Sequence, residues 1–225
     1  MKYTSKLILN WEEYQFAAPE QWWQPWANTL CYFSLNGTAD DSSSNQYTWT
    51  WSGNENYETL SSWIQVAKFD GSSYITTSRT SLMNPSDFSI LIRFKRDSTW
   101  MTFLLNKWSS TNTWENLHCW FYASNEFVMA FFWDNNPWRY ITDTDWHFGA
   151  VTFSSWTKTC YLDTQNPVSF SNTTFGWFNN TLYIWYNDWY KYSGNISNLI
   201  FENKARTSQE VSDYYNQTKS LYGIS

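Results

Sequence analysis

The sequence predicts an all-β fold: a two-sheet antiparallel jelly-roll sandwich with a short C-terminal helix and an N-terminal β-hairpin extension. Many short runs are rich in β-branched and aromatic residues, and clusters of Asn, Asp, Ser and Thr separate them. Helical periodicity is missing between these runs. The length of 225 residues suits one sandwich domain with a sizeable apolar core.

The predicted strands follow one another at short intervals along the chain. They cover residues 29–35, 73–77, 88–96, 101–108, 127–133, 148–155, 158–164, 182–186 and 196–203. Runs of this length and composition favour strands over helices. One helix is predicted at residues 206–219, because Thr207 and Glu210 have the spacing of a capping box and Val211 and Tyr215 then share one helical face.

Residues 1–27 are predicted to form a hairpin and a linker ahead of the domain at 28–225. Strand-like runs lie on either side of Asn10 and Trp11. A two-residue hairpin loop favours Asn-Gly because both positions need positive φ, so Trp11 is unexpected there. Two prolines in the stretch "APEQWWQPW" then discourage regular structure.

Charge and hydropathy exclude two classes of partner. The net charge is −6, and the densest Lys/Arg cluster is "RFKR" at residues 93–96, so we expect no nucleic acid partner. Apolar runs stay well short of the roughly 20 residues of a membrane span. The first ten residues hold only a three-residue apolar run, too short for a signal peptide. We expect an extracellular or virion-associated protein without a classical secretion signal.

Cys31, Cys119 and Cys160 are odd in number and lack the spacing of a zinc site. Three buried free thiols are one interpretation. One disulfide with one free thiol is the other.

Several motifs in order resemble one family. "VAKFDGSSYITT" (66–77) is similar to its F-D-G-x-x-Y strand pair. "DWHFGAVTFSSWTKTCYLDTQ" (145–165) is similar to W-H-H-V-A-V-T-Y-D-G-x-x-x-L-Y-V-D-G. From Asn28 onward the chain thus resembles the laminin-G-like jelly-roll family of the concanavalin A-like lectin/glucanase superfamily. The resemblance implies a jelly roll, and a role in adhesion, sugar binding or structural attachment.

Tryptophan is over-represented and glycine is under-represented. The chain has 18 Trp and 7 Gly, whereas Gly usually makes up about 7% of residues. A β-rich chain needs Gly for turns with positive φ. Trp49, Trp156 and Trp185 stand where the resembled family has Gly.

Fourteen tryptophans occupy positions that suit Gly, and exchanging them would bring Gly to 21 and Trp to 4. They are Trp11, Trp22, Trp23, Trp26, Trp49, Trp63, Trp100, Trp114, Trp120, Trp138, Trp156, Trp177, Trp185 and Trp189. Our hypothesis is that these are UGA codons read as Gly in the source, a bacterial lineage with recoded UGA or a virus of one. The alternative is a Trp-rich binding surface.

Catalytic patterns of the superfamily are missing from the sequence. Its glucanases need paired carboxylates at E-x-D-x-E spacing, whereas Glu55 and Glu58 would point to opposite faces of a strand. The Gln-x-His pair of the jelly-roll lyases is also missing. His147 follows Trp146 in a strand motif, so we expect it to pack or to form hydrogen bonds. His118 has no partner nearby in the sequence. We therefore predict a protein that is not an enzyme.

A calcium site is predicted at Asp40, Asp41 and Asn45, because the resemblance implies loops that offer oxygen ligands to Ca²⁺. The alternative is a polar turn in which Asp and Asn bond to their own backbone.

Tyr186, Asp188, Tyr190 and Tyr192 are the predicted ligand-binding residues. They combine stacking faces with hydrogen-bonding groups, as a sugar site requires. Cross-strand aromatic packing is an equally good explanation of these tyrosines.

We expect a non-catalytic module that binds a carbohydrate or another cell-surface polymer in adhesion, within a larger particle or surface assembly. The alternative is a structural virion protein, a phage tail or head decoration, that makes protein contacts only. A glycoside hydrolase or polysaccharide lyase ranks third.

Overall fold

A computed structural model describes residues 6–9, 12–15, 27–77, 86–99, 102–107, 117–122, 125–131, 139–171, 182–184 and 192–224. The strands are β1 Lys6–Leu9, β2 Glu12–Gln15, β3 Thr29–Phe33, β4 Trp49–Ser52, β5 Tyr57–Thr59, β6 Gln65–Asp70, β7 Tyr74–Thr77, β8 Phe88–Arg96, β9 Thr102–Lys107, β10 Leu117–Tyr122, β11 Glu126–Phe131, β12 Arg139–Tyr140, β13 Trp146–Ser154, β14 Thr157–Leu162, β15 Val168–Phe170, β16 Leu182–Ile184 and β17 Ser193–Glu202. Helix α1 spans Ser208–Thr218, and a 3-10 turn follows at Lys219–Tyr222.

Two antiparallel sheets confirm the predicted all-β fold. The seven-stranded sheet has the order β12-β11-β10-β9-β16-β7-β4. The eight-stranded sheet has the order β15-β14-β13-β8-β17-β6-β5, with β3 paired to β17 off this path. Strands β1 and β2 pair with each other, and Leu9 lies opposite Glu12. The division into a hairpin with linker and a jelly-roll domain stays a prediction.

Strand β17 changes partners along its length. Its first residues pair with β6, its last residues pair with β3, and β8 runs along its other side. The register to β8 shifts between Ser197 and Ile200, and Asn198 between them has a φ of 48°. This left-handed residue, of a type that tolerates the conformation, is the bulge that bends the strand.

The main core lies between the two sheets. The inward residues of each strand alternate with outward ones, as the period of two requires. Phe94 of β8 stacks on Phe127 of β11 at 5.1 Å and meets Phe121 of β10 edge-on at 5.6 Å. Each fully buried phenylalanine contributes roughly 1.5–3 kcal/mol. Aromatic contacts across the interior therefore hold the two sheets together.

Helix α1 begins with the predicted capping box. The amide of Glu210 donates to Thr207 Oγ1 at 3.2 Å, and the amide of Thr207 donates to Glu210 Oε2 at 2.8 Å. The buried helix residues Val211 and Tyr215 pack on the outer face of the eight-stranded sheet, in a second core that includes Phe148. In the described part of the chain, no helix has the length and apolar character needed to cross a bilayer.

Arg93 joins this helix to the sheet. Its Nη2 donates to Tyr215 O at 3.1 Å and to Thr218 Oγ1 at 2.7 Å, at the C-terminal end of α1. The guanidinium also lies 5.1 Å from the centres of the Phe148 and Tyr215 rings and 4.8 Å from that of Tyr222. Burial lowers the pKa of Arg93. A buried cation is thus held by aromatic faces and by the last turn of the helix.

The three cysteines are free thiols in the structure, as the first of the two interpretations has it. Cys31 and Cys119 are buried, and burial raises the pKa of each well above its ordinary value. Cys160 is half-buried, and its Sγ lies 3.8 Å from Met129 O. Thiols of this kind behave as small apolar side chains.

Candidate functional site on the outer face of the seven-stranded sheet

The outer face of the seven-stranded sheet carries a row of polar side chains. Leu117, Cys119 and Phe121 of β10 point into the main core, so His118 between them points outward. It lies opposite Asn106 of β9.

The row continues across the neighbouring strands. Asn106 lies opposite Tyr183 of β16, Tyr183 opposite Thr76 of β7, and Thr76 opposite Thr50 of β4. His118 and Asn106 are buried, Tyr183 and Thr76 are half-buried, and Thr50 is exposed. Accessibility therefore increases along the row toward β4.

A second pair lies beside this accessible end. Ser52 of β4 is opposite Tyr74 of β7, and the Tyr74 and Tyr183 rings lie 6.4 Å apart at 55°. We call the accessible set the tyrosine patch. It consists of Thr50, Ser52, Tyr74, Thr76 and Tyr183. The patch offers two aromatic rings and three aliphatic hydroxyls on adjoining strands.

The patch and the row behind it are uncharged at neutral pH. Desolvation by burial lowers the pKa of His118 to about 4, so its imidazole is neutral near pH 7. Asn, Thr, Ser and Tyr supply neutral donors and acceptors. Such a surface can bond to hydroxyl groups while its rings cover apolar C–H faces.

One predicted ligand-binding residue lies elsewhere. Tyr192 is fully buried, its ring meets Phe69 edge-on at 6.0 Å, and its hydroxyl lies 2.7 Å from Lys95 O and 2.8 Å from Asn195 O. Burial raises its pKa well above the ordinary value. The prediction of Tyr192 at a ligand-binding rim was therefore wrong: it belongs to the core, as the packing alternative has it. Tyr186, Asp188 and Tyr190 lie outside the described residues.

Asp41 organises the loop of the predicted calcium site. Its Oδ1 accepts from the amides of Tyr32 and Ser43, both at 2.9 Å. Its Oδ2 accepts from Ser43 Oγ at 2.8 Å and from the Tyr47 amide at 3.0 Å. N–H and O–H donors therefore occupy the places that a cation would need around both oxygens.

The other two predicted calcium ligands also bond within the loop. Asp40 Oδ2 accepts from Thr38 Oγ1 at 2.6 Å, and Asn45 Nδ2 donates to Leu30 O at 2.8 Å. Across the residues that the structure describes, no group of three or more His, Cys, Asp or Glu side chains is arranged to hold a metal ion. The loop as folded has the form of the polar turn and does not fit a calcium ion.

His147 lies between two carboxylates, as a hydrogen-bonding residue. Its Nδ1 is 2.7 Å from Asp163 Oδ2, and its Nε2 is 2.7 Å from Asp143 Oδ1. Burial of the ring lowers its pKa, but the two carboxylates outweigh this and raise the pKa above its ordinary value. Asp163 also accepts from the Phe148 amide at 2.7 Å. This cluster ties the start of β13 to the turn after β14.

A cavity of about 480 Å³ lies where β17 meets helix α1. Arg206 Nη2 donates to Glu202 Oε1 at 2.7 Å on its wall, and Lys204 pairs with Glu210. Desolvation raises the pKa of Glu202 and lowers that of Arg206. Four charged groups of this wall are thus paired with one another, and the Asp213 carboxylate accepts from Gln209 Nε2 at 2.7 Å. We therefore take the outer face of the other sheet as the better candidate for ligand binding.

Compared by sequence, the chain matches no protein-family model and no curated protein. Compared by structure, it resembles the binding domain of Paraclostridial Mosquitocidal Protein 1, with a TM-score of 0.69, 15% identity, and coverage of 88% of this chain and 55% of that one. It also resembles the botulinum neurotoxin serotype D/C binding domain, with a TM-score of 0.67, 12% identity, and coverage of 86% of this chain and 52% of that one. The chain thus spans about half the length of these toxin domains.

A third solved structure matches over nearly its whole length. Domain 4 of AbnA, a GH43 extracellular arabinanase from Geobacillus stearothermophilus, in complex with arabinotriose, gives a TM-score of 0.61 at 18% identity, over 83% of this chain and 97% of that one. Likeness at such low identity shows the fold. The chain is an antiparallel β-sandwich with the fold of these domains, and the two toxin domains are described as binding domains.

Proposed function

We propose that this domain is a non-catalytic carbohydrate-binding module of the laminin-G-like type and that the tyrosine patch contacts a neutral glycan on a cell surface. The observation that carries the proposal is the cross-strand row from His118 to Thr50, with Tyr74 beside it. The row presents imidazole, amide and hydroxyl groups on an outer sheet face, and Tyr74 also packs against the main core. These polar groups suit a ligand rich in hydroxyl groups.

The chemistry of the patch selects the ligand class. Tyr74 and Tyr183 present apolar faces with polar hydroxyls, the combination that covers a sugar ring and bonds to its edge. Thr50, Ser52 and Thr76 add hydroxyls that both donate and accept. Because no ionised group belongs to the patch, a neutral sugar is favoured over an anionic polymer.

The similar structures support a carbohydrate ligand. Domain 4 of the arabinanase holds arabinotriose, and a botulinum neurotoxin D/C binding domain was solved with SialylT. The arabinanase is extracellular, which agrees with a module that acts outside the cell. Tyr186, Asp188 and Tyr190 follow β16, the strand that carries Tyr183, and they stay predicted ligand residues.

A glycan array followed by calorimetric titration of the strongest ligand tests the proposal. Tyr183→Ala removes one stacking face, and at about 1.4 kcal/mol per aromatic contact it weakens binding roughly tenfold. Tyr140→Ala is the matched control, because Tyr140 is an exposed tyrosine of the same sheet whose hydroxyl donates to Glu126. Absence of glycan binding, or equal losses for the two variants, would contradict the proposal.

Calcium at Asp40, Asp41 and Asn45 is tested by the same titration with and without a chelator. Loss of binding in chelator would mean that an ion replaces the loop's own donors. Unchanged affinity agrees with the hydrogen-bonded loop. The alternative of a structural virion protein also stays a prediction, and it gains support if the chain is incorporated into particles and binds no glycan.

A further inference from the structure

Trp63 occupies a turn position that calls for glycine. It lies between β5 and β6, where its amide donates to Leu60 O at 2.9 Å and the Leu60 amide donates to Ile64 O at 2.9 Å. Its φ is 67°. A three-residue hairpin loop of this kind ends in a left-handed residue, for which Gly is the usual choice.

Trp156 occupies a second such position. Ser154 of β13 pairs with Thr157 of β14, so Ser155 and Trp156 form a two-residue loop. Their φ values are 49° and 62°. Positive φ at both positions defines the type I′ turn, in which the second residue is typically Gly.

Neither side chain makes buried contacts that would offset the cost of this backbone conformation. Trp63 is 82% exposed and Trp156 is 63% exposed. A β-carbon disfavours the left-handed region, and a bulky exposed ring adds no buried contact to offset that cost. Neither position therefore has a structural reason to be Trp.

Two other tryptophans are buried and pack against aromatic rings, as expected of a Trp that contributes to the fold. Trp146 is 8% exposed and lies 4.8 Å from the Tyr222 ring. Trp49, one of the fourteen positions singled out in the sequence, is also buried, against Phe33. The structure thus separates Trp63 and Trp156 from the tryptophans that pack.

We infer that residues 63 and 156 are glycines in the protein as its source makes it, encoded by UGA codons that are read as Gly there. This agrees with the surplus of Trp and the shortage of Gly in the chain. The register of β1 and β2 also leaves only Asn10 and Trp11 between Leu9 and Glu12, a connection that favours Asn-Gly. The two exposed rings are then no part of the native surface and bind no sugar.

Peptide mass spectrometry of the protein isolated from its source tests the inference directly. Peptides that span residues 63 and 156 are expected to carry Gly, and the gene is expected to carry UGA at both codons. A Trp residue or a UGG codon at either position would overturn it.

Variants of the chain that carries Trp at both positions test whether a β-carbon there is unfavourable. Trp63→Gly and Trp156→Gly are each expected to raise Tm by about 2–4 °C. Trp63→Ala and Trp156→Ala are the matched controls, since they remove the ring but keep the β-carbon, and they are expected to leave Tm nearly unchanged. Trp146→Gly is expected to lower Tm. Equal effects of Ala and Gly at position 63 or 156 would contradict the argument.

Discussion

The outer faces of the two sheets serve different purposes although both follow the same alternation. On the eight-stranded sheet, Phe148 and its neighbours meet helix α1, and Arg93 lies buried beneath it. On the seven-stranded sheet, the corresponding positions hold His118, Asn106 and Tyr183. One face stabilises the fold as a second core. The other carries the polar groups that we propose contact a glycan, so mutations should separate stability on one face from binding on the other.

The largest expected effect is at Arg93. Arg93→Ala leaves a cavity and removes the donors that hold the last turn of α1, so we expect the free energy of unfolding to fall by roughly 2–4 kcal/mol. Urea denaturation measures it. Lys95→Ala, two residues along the same strand, is the control and should stay within about 0.5 kcal/mol. A loss below 1 kcal/mol for Arg93→Ala would mean that apolar contacts alone hold the helix.

The next effect is a pH dependence from His147. Its pKa is raised in the folded protein, so its stabilising effect is complete below the unfolded pKa of about 6.5 and is lost as pH rises through the folded pKa. His147→Gln should cost roughly 1.5 kcal/mol at pH 6 and less at alkaline pH. Thermal denaturation of both proteins from pH 5 to 9 measures the difference. A constant difference across that range would refute the assignment.

A smaller effect is expected at the start of the helix. Thr207→Ala removes the acceptor of the Glu210 amide and should destabilise the protein by about 1 kcal/mol. Ser220→Ala, at an exposed site after the helix, serves as the reference and should be neutral in the same denaturation experiment. Equal stability of the two variants would mean that the second core holds the helix regardless of its cap.

The smallest effect on stability is expected in the tyrosine patch. Thr76→Val keeps the β-branched shape and removes only the hydroxyl, so stability should change by less than about 0.5 kcal/mol. Glycan affinity should nevertheless fall by roughly 2–10-fold, the equivalent of one hydrogen bond. Denaturation and glycan titration of this variant, measured in parallel, test whether this face of the seven-stranded sheet affects binding without affecting stability. A large loss of stability would place Thr76 among the structural residues.

Local signals predicted the fold well. The capping box of Thr207 and Glu210 depends on four consecutive residues, and it appears as predicted. The longer strands follow from their own β-branched and aromatic composition. Strands β4, β5, β10, β12 and β15 were missed, and four of these five lie at sheet edges. The three-residue runs Tyr57–Thr59 and Val168–Phe170 are too short for their composition to mark them, and they become strands through pairing with the neighbouring strands β6 and β14.

The candidate site was harder to predict, because the sheet face to which a side chain points is not set by the local sequence. In "LHCWFY" of β10 both sets of alternate residues are largely apolar, so the pattern does not say that His118 faces outward. Tyr192 suited a ligand rim by residue type, but it directly precedes β17 and its ring is buried against Phe69. Asp41 suited a calcium ligand and a loop acceptor equally, and only the folded loop places four donors around it.

The partner change of β17 has a consequence for how the chain is made. Tyr32 in β3 lies opposite Ile200 in β17, so the first strand of the sandwich completes its ladder only after the last strand of the sandwich has been synthesised. Contacts this distant in sequence slow folding and leave early strands exposed during synthesis. A nascent chain stalled before residue 193 would hold β3, β6 and β8 without the strand that joins them. We expect such a chain to expose apolar strand surface until β17 emerges.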